Sequence, residues 1–228
     1  MSGVVAHRHG ETTRVKMYGN WRSAAAFRVR IALNLKGIPC EETFIDLDAG
    51  DQFKPEFLAI NPQGAVPAFF DGDGPPLTQS LAILDYLEDI HPAVPLLPAD
   101  PRARARARSL AQVVACDTHP LYVPRVRNYL MQAYDIPKDR MMGFVRHWFE
   151  SGLKTLETRL TREPGTGRYA QGDAVSHADL CLVSLWVGTG IFGVETAPYP
   201  TVRRIAEDCL SQEAFARAHP LRQPGAPA

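Results

Sequence analysis

The stretch Tyr18-Gly19-Asn20-Trp21-Arg22-Ser23 puts a guanidinium and a hydroxyl where a short strand, Val15–Gly19, gives way to a helix, Ala24–Lys36. A helix start presents unpaired N–H groups and a partial positive charge. Ser23 there can simply cap the helix, the ordinary role of such a serine, or donate to a bound anion such as a thiolate. Arg22 beside it suits a carboxylate or phosphate. Two more polar loops follow. Val66-Pro67 comes after the turn Asn61-Pro62-Gln63-Gly64. A proline there is either an ordinary edge-strand proline or holds a cis bond that offers the preceding backbone to a peptide-like ligand. Gln79-Ser80 opens another helix, where Ser80 caps the turn and its N–H could hold a carboxylate.

These loops need a scaffold, and the hydrophobic pattern supplies one. Phe27, Arg28, Ile31, Ala32 and Leu35 recur at helical spacing, and Gly37 ends that helix as a C-terminal cap. Alternation predicts a strand over 42–47, a short helix over 53–60, strands at 66–70 and 77–78, and a helix at Ser80–Ile90, whose apolar face is Leu81, Ile83, Leu84 and Leu87. That order is a small α/β domain with a mixed sheet. Residues 91–100 hold three prolines and no periodicity, as a linker does. Beyond them the chain reads as helical. Val145, Trp148, Phe149, Gly152, Leu153, Leu156 and Leu160 form one stripe. Ser176-His177-Ala178-Asp179 is a capping box ahead of a buried helix. The expected organisation is a flexible extension over 1–14, an α/β domain over 15–93, a linker over 94–100 and an all-α domain over 101–228.

Composition excludes several classes. At 45% hydrophobic and 22% charged the chain is an ordinary globular protein with apolar content for a real core. No apolar run reaches membrane-spanning length, and the first residues lack a signal-peptide pattern, so a cytoplasmic protein without a membrane contact is expected. The net charge is zero, but residues 1–100 hold 8 basic and 13 acidic side chains against 17 and 12 in the remainder, a change of sign that falls at the linker. Cys40, Cys116, Cys181 and Cys209 form no CxxC and read as isolated core thiols, with no metal site. A sequence pI near 7.1 argues against nucleic-acid binding. Arg102, Arg104, Arg106 and Arg108 alternate with alanine, and on a helix that period scatters charge around a solvated surface. His147 and His177 read as surface or cap positions, and Trp148 and Trp186 as core or subunit contacts.

Taken together, YGNWRS, Arg28-Val29-Arg30-Ile31-Ala32-Leu33, Asn61-Pro62-Gln63-Gly64-Ala65-Val66-Pro67, Gln79-Ser80-Leu81-Ala82-Ile83 and Ala178-Asp179-Leu180-Cys181-Leu182-Val183 resemble the zeta-class glutathione transferases. Within that class the likeness is to maleylacetoacetate and maleylpyruvate isomerases, and Ala115-Cys116-Asp117-Thr118-His119-Pro120 with Arg125 is similar to the maleylpyruvate type. The resemblance implies a two-domain glutathione transferase fold, with a thioredoxin-like α/β domain and a helical domain, as a homodimer. It implies glutathione as cofactor. Val66, ahead of a cis Pro67, would pair with the cysteinyl backbone. Gln79 and Ser80 would hold the γ-glutamyl end, and Gln52 and His119 the glycyl end or its surroundings. Ser23 would hydrogen-bond the sulfur. The implied reaction is cis–trans isomerisation of a small anionic substrate, a maleyl-type dicarboxylate of aromatic amino acid breakdown. Arg22 and Arg125 are the expected clamps for its carboxylates, with Arg127 behind them.

Two departures stand out. The class motif continues as Ser-Ser-Cys, whereas here Ala24 and Ala25 follow Ser23; the missing cysteine argues against an enzyme mixed disulfide. Relatives of the maleylpyruvate type often carry arginine where this chain has Gly188-Thr189-Gly190-Ile191. That absence leaves open a transferase proper, conjugating or dehalogenating small electrophiles such as α-halo acids. A non-catalytic, partner-binding protein of the same fold is the third reading. The retained ligand loops argue against it.

Overall fold

A computed structural model describes residues 15–72 and 74–227; the extension expected over 1–14 lies outside them. β1 (Val15–Gly19) is one of the two inner strands of a four-stranded sheet ordered β2-β1-β3-β4. It runs parallel to β2 (Cys40–Phe44) and antiparallel to β3 (Ala68–Phe70), which pairs antiparallel with β4 (Leu77–Thr78). α1 (Ala24–Lys36), α2 (Pro55–Ile60) and α3 (Ser80–Ile90) complete this mixed, thioredoxin-like unit. α1 starts on Ser23 and stops at Gly37, whose φ of 68° suits a residue without a side chain. Two strands differ from expectation. β2 lies at 40–44 rather than 42–47; it is an edge strand with no fully buried residue, so no apolar face marks its ends. β3 begins after Pro67, which has no N–H to give to the ladder.

The rest is helical: α4 (Pro101–Gln112), one wide turn of π-helix (Val113–Thr118), α5 (His119–Tyr122), α6 (Pro124–Ala133), α7 (Lys138–Arg162), α8 (His177–Phe192), α9 (Pro200–Leu210) and α10 (Glu213–Ala218). α7 buries Met141, Val145, Phe149, Gly152, Leu153, Leu156 and Leu160, close to the expected stripe, while Trp148 is only half-buried. One continuous core runs from Phe27, Ile31 and Leu84 through Leu110 and Val114 to Leu180, Val183 and Ile205. Each such side chain contributes about 1.5–3 kcal/mol by leaving water. The linker is strapped down by Glu88, which accepts the N–H groups of Leu96 and Leu97 at 2.9 and 3.2 Å and pairs with Lys36 at 3.0 Å.

The capping box forms as expected. The Asp179 carboxylate, fully buried, accepts the Ser176 N–H and hydroxyl at 2.8 Å and the Ala170 N–H at 2.7 Å. Burial pushes its carboxyl up to about 6 against those three donors. Three surface expectations are corrected. Arg106 is not solvated: it donates to Glu163, Thr166, Gln171 and the Ala170 carbonyl at 2.7–3.0 Å, tying α4 to the segment between α7 and α8. Arg104 is likewise engaged, by the Pro98 carbonyl, whereas Arg102 and Arg108 are exposed as expected, Arg108 in a surface pair with Asp85. His177, the first residue of α8, is 2% exposed. Of the four cysteines only Cys181 and Cys209 are buried, while Cys116 is exposed and Cys40 lies between. Among the described residues no helix is long and apolar enough to cross a membrane, and no cluster could hold a metal ion.

Candidate active site

Ser23 caps α1: its Oγ accepts the Ala26 N–H at 3.2 Å. An accepting hydroxyl still has its own proton to give, so capping and donation to an anion are compatible. The loop before it is held by buried Asn20, whose Nδ2 donates to the Ile45 carbonyl at 2.9 Å and whose Oδ1 accepts the Arg22 N–H at 3.1 Å. Arg22 therefore leaves the loop in a fixed direction, and its guanidinium pairs with Asp48. On the other side of the loop Arg30 reaches across to Glu42 with two bonds of 2.5 and 2.7 Å. A Cβ at residue 19 would sit 2.1 Å from that carboxylate, which is why Gly19 closes the strand.

The second and third loops converge from β3 and α3. The Val66–Pro67 bond is cis. Neither the N–H nor the carbonyl of Val66 is engaged by another backbone group among the described residues. Gln79 stands exposed at φ 68°, its side chain bonded to Gln63 at 2.9 Å, directly before buried Ser80. Beneath Ser80 lies Arg28, 1% exposed. Its guanidinium donates to Ser80 Oγ at 3.2 Å and to Ser184 Oγ at 2.8 Å, and one Nη has no partner. A buried cation held by two hydroxyls and no carboxylate adds positive potential under both loops. Gln52 is buried, with Nε2 on the Leu47 carbonyl at 3.4 Å and Oε1 unpartnered.

Beside the start of α1 lies a small cleft of about 40 Å³ that opens to solvent. Arg22, Ala24 and Phe27 line it from one side, and Tyr122, Phe149, Ser184, Gly188 and Phe192 from the other. Tyr122, Phe149 and Phe192 stack into one wall, with centroids 4.3–5.8 Å apart. Gly188 gives that wall room, since a Cβ there would come within 2.9 Å of the Phe149 ring. His119 packs its ring edge-on against Tyr122 at 5.3 Å. Desolvation, then the charges of Arg28 and Arg125, hold its imidazole well below its usual range, so it is neutral at pH 7. Arg125 is exposed and does not line the cleft. Arg127 instead lays its guanidinium over Phe192, 5.5 Å from the centroid.

Of the residues expected from sequence, Arg22 lines the cleft and Ser23 stands between two residues that do. Val66, Pro67, Gln79, Ser80 and Gln52, the last in the 3₁₀ turn Asp51–Phe53, do not line it; Ser80 is linked to it through Arg28, which bonds both Ser80 and the cleft-lining Ser184. His119 and Arg125 stand beyond the aromatic wall. Sequence reasoning missed Asp48, Tyr122, Phe192 and the burial of Arg28. Only Arg28 left a signal, an arginine within the apolar spacing of α1.

Residues 13–89 match the family model for the glutathione S-transferase N-terminal domain. The maleylpyruvate isomerase of a Ralstonia species is 39% identical over 92% of this chain and 99% of its own length. The chain belongs to the zeta-class glutathione transferases. Two solved structures show how far this zeta-class fold extends. A maleylacetoacetate isomerase from Methylobacterium extorquens AM1, solved with bound malonate and glutathione, is 78% identical with a TM-score of 0.92, covering 93% of this chain and all of that one. A maleylpyruvate isomerase described as a bacterial glutathione transferase of the zeta class is 38% identical with a TM-score of 0.90, again over 93% and 100%.

Proposed function

We propose that this chain is a glutathione-dependent cis–trans isomerase of a maleyl-type dicarboxylate. The observation that carries the reading is the convergence of Arg22 and the Ser23 helix start on a cleft walled by Phe27, Tyr122, Phe149 and Phe192. The malonate and glutathione reported with the Methylobacterium relative support it. The chain's own groups fit glutathione, because Val66 has a free backbone edge and both Gln52 and Arg28 have a buried polar atom without a partner. When bound, glutathione supplies a thiolate that adds to the cis double bond and leaves again after rotation.

The residues do the rest. Val66, ahead of cis Pro67, offers its N–H and carbonyl to the cysteinyl backbone. Gln79 and the Ser80 N–H hold the γ-glutamyl end, with the Arg28 charge beneath. Gln52 and neutral His119 border the glycyl end. Ser23 donates its hydroxyl proton to the sulfur, and the α1 N-terminus with Arg22 favours the anionic form. Arg22 draws a substrate carboxylate, Arg being suited to it by its planar fork, whereas Arg125, the second clamp expected from sequence, is exposed away from the cleft lining. The aromatic wall keeps water from the reacting carbons. The reading extends to a cytoplasmic homodimer acting in aromatic amino acid breakdown; sedimentation of the glutathione-loaded protein tests the dimer.

A spectrophotometric assay with glutathione, comparing maleylacetoacetate, maleylpyruvate and dichloroacetate, tests the reaction. Turnover of a maleyl compound is expected. Turnover of dichloroacetate alone would favour the second reading, a transferase acting on α-halo acids, which rests on the Gly188–Ile191 segment lacking an arginine.

A further inference from the structure

On the isomerase reading above, a dicarboxylate needs two cationic seats, and α8 offers none where its wall faces the cleft. α6 carries an arginine that nothing in the core requires. No residue of α6 is buried, yet Arg127 folds back from it onto Phe192, a residue of the cleft wall. Its Nε is enclosed and has no hydrogen-bond partner among the described residues. A guanidinium so placed has donors to give and no anion to take them. Arg22 stands across the same mouth, near enough that its charge, after desolvation, lowers the Arg127 pKa, while Asp48 acts in the opposite sense. Among the described residues the charges that act on Arg127 are thus one cation, Arg22, and one carboxylate, Asp48, and that carboxylate is spent on Arg22.

We infer that Arg127 is a specificity-determining residue: it holds the distal carboxylate of the substrate against Phe192, while Asp48 occupies Arg22 as an internal stand-in that the proximal carboxylate displaces. Arg127 thus supplies from α6 the cation that α8 lacks. It selects dicarboxylates over monocarboxylates, which fill only the Arg22 seat.

The test is calorimetric titration of maleate, and of acrylate as the monocarboxylate, into protein saturated with glutathione. Arg127→Met keeps the apolar cover on Phe192 and is expected to weaken maleate at least tenfold. Acrylate and glutathione itself should change by less than twofold. Arg127→Lys should recover part of the loss, having the charge without the fork. Asp48→Asn should tighten maleate two- to fivefold by freeing Arg22. The proposal is overturned if Arg127→Met binds maleate as the parent does. It is also overturned if that variant loses acrylate or glutathione in equal measure, the mark of a packing role, or if the parent does not bind maleate. A parent that binds maleate through Arg127 yet isomerises no maleyl compound would refute the isomerase reading alone.

Discussion

The two sides of the cleft are built differently. On the sheet side, the backbone of each candidate ligand-binding group sits at the end of a regular element and is set by local turns and caps, even where its side chain is held from farther off, as Arg22 is by Asp48 and Gln79 by Gln63. Ser23 is set by the first turn of α1, Val66 by the turn Asn61–Gly64, and Gln79 by the start of α3. On the helical side, Tyr122, Phe149 and Phe192 come from three helices and meet only through tertiary packing. Local motifs thus make a constant seat, while packed side chains make an adjustable wall. A fold arranged this way can hold one cofactor and vary its second substrate.

Perturbing the wall at its base gives the largest expected effect. Asp179→Ala strands two N–H groups and a hydroxyl in the core, at about 1–3 kcal/mol each, so a stability loss of about 3 kcal/mol or more is expected in thermal denaturation. Because α8 carries Ser184, Gly188 and Phe192, dicarboxylate turnover should fail at temperatures where glutathione binding survives; simultaneous loss would dissolve the distinction between the sides.

A smaller effect follows from His177, which burial holds down to about 4. A histidine kept neutral in the fold contributes stability that is full above about pH 6.5 and is lost as pH falls through its folded value. The His177 contribution to stability therefore declines from pH 6.5 towards 4. Asp179, raised to about 6, opposes this, since its contribution is lost as pH rises. His177→Gln should remove this contribution, so that relative to the parent the variant gains about 3 kcal/mol between pH 6.5 and 4. An unchanged slope in denaturant titrations would remove His177 from the account.

The mildest change is to the wall's shape. Gly188→Ala pushes its methyl into the Phe149 ring. It should cost about 1 kcal/mol of stability and raise the dicarboxylate KM by about fivefold, with glutathione affinity retained. A matching loss of glutathione affinity would show that the two sides are not separable.

The same contrast explains what the sequence made legible. α1 with its Ser23 and Gly37 caps, the Ser80 start, the strap of prolines and the Ser176–Asp179 box are all written in contiguous residues. The shift of β2 was hidden because an edge strand with no fully buried residue has no apolar face to mark its ends. The π turn at Val113–Thr118 leaves no pattern distinct from ordinary helix. Arg106 read as a solvated surface residue and His177 as a surface or cap position because the groups that enclose them are far away in the chain. Arg125 was the arginine singled out by the motif around His119, whereas it is Arg127, two residues on, that meets the cleft wall.

The central claim is that the sheet side alone activates the sulfur, through Ser23 at the start of α1. Titration of the thiolate absorbance of bound glutathione tests it most directly. A free thiol ionises near pH 8.5. The account predicts a value lower by about one unit or more in the parent, returning most of the way in Ser23→Ala and staying low in Arg127→Met. Identical titrations in the parent and Ser23→Ala would contradict it.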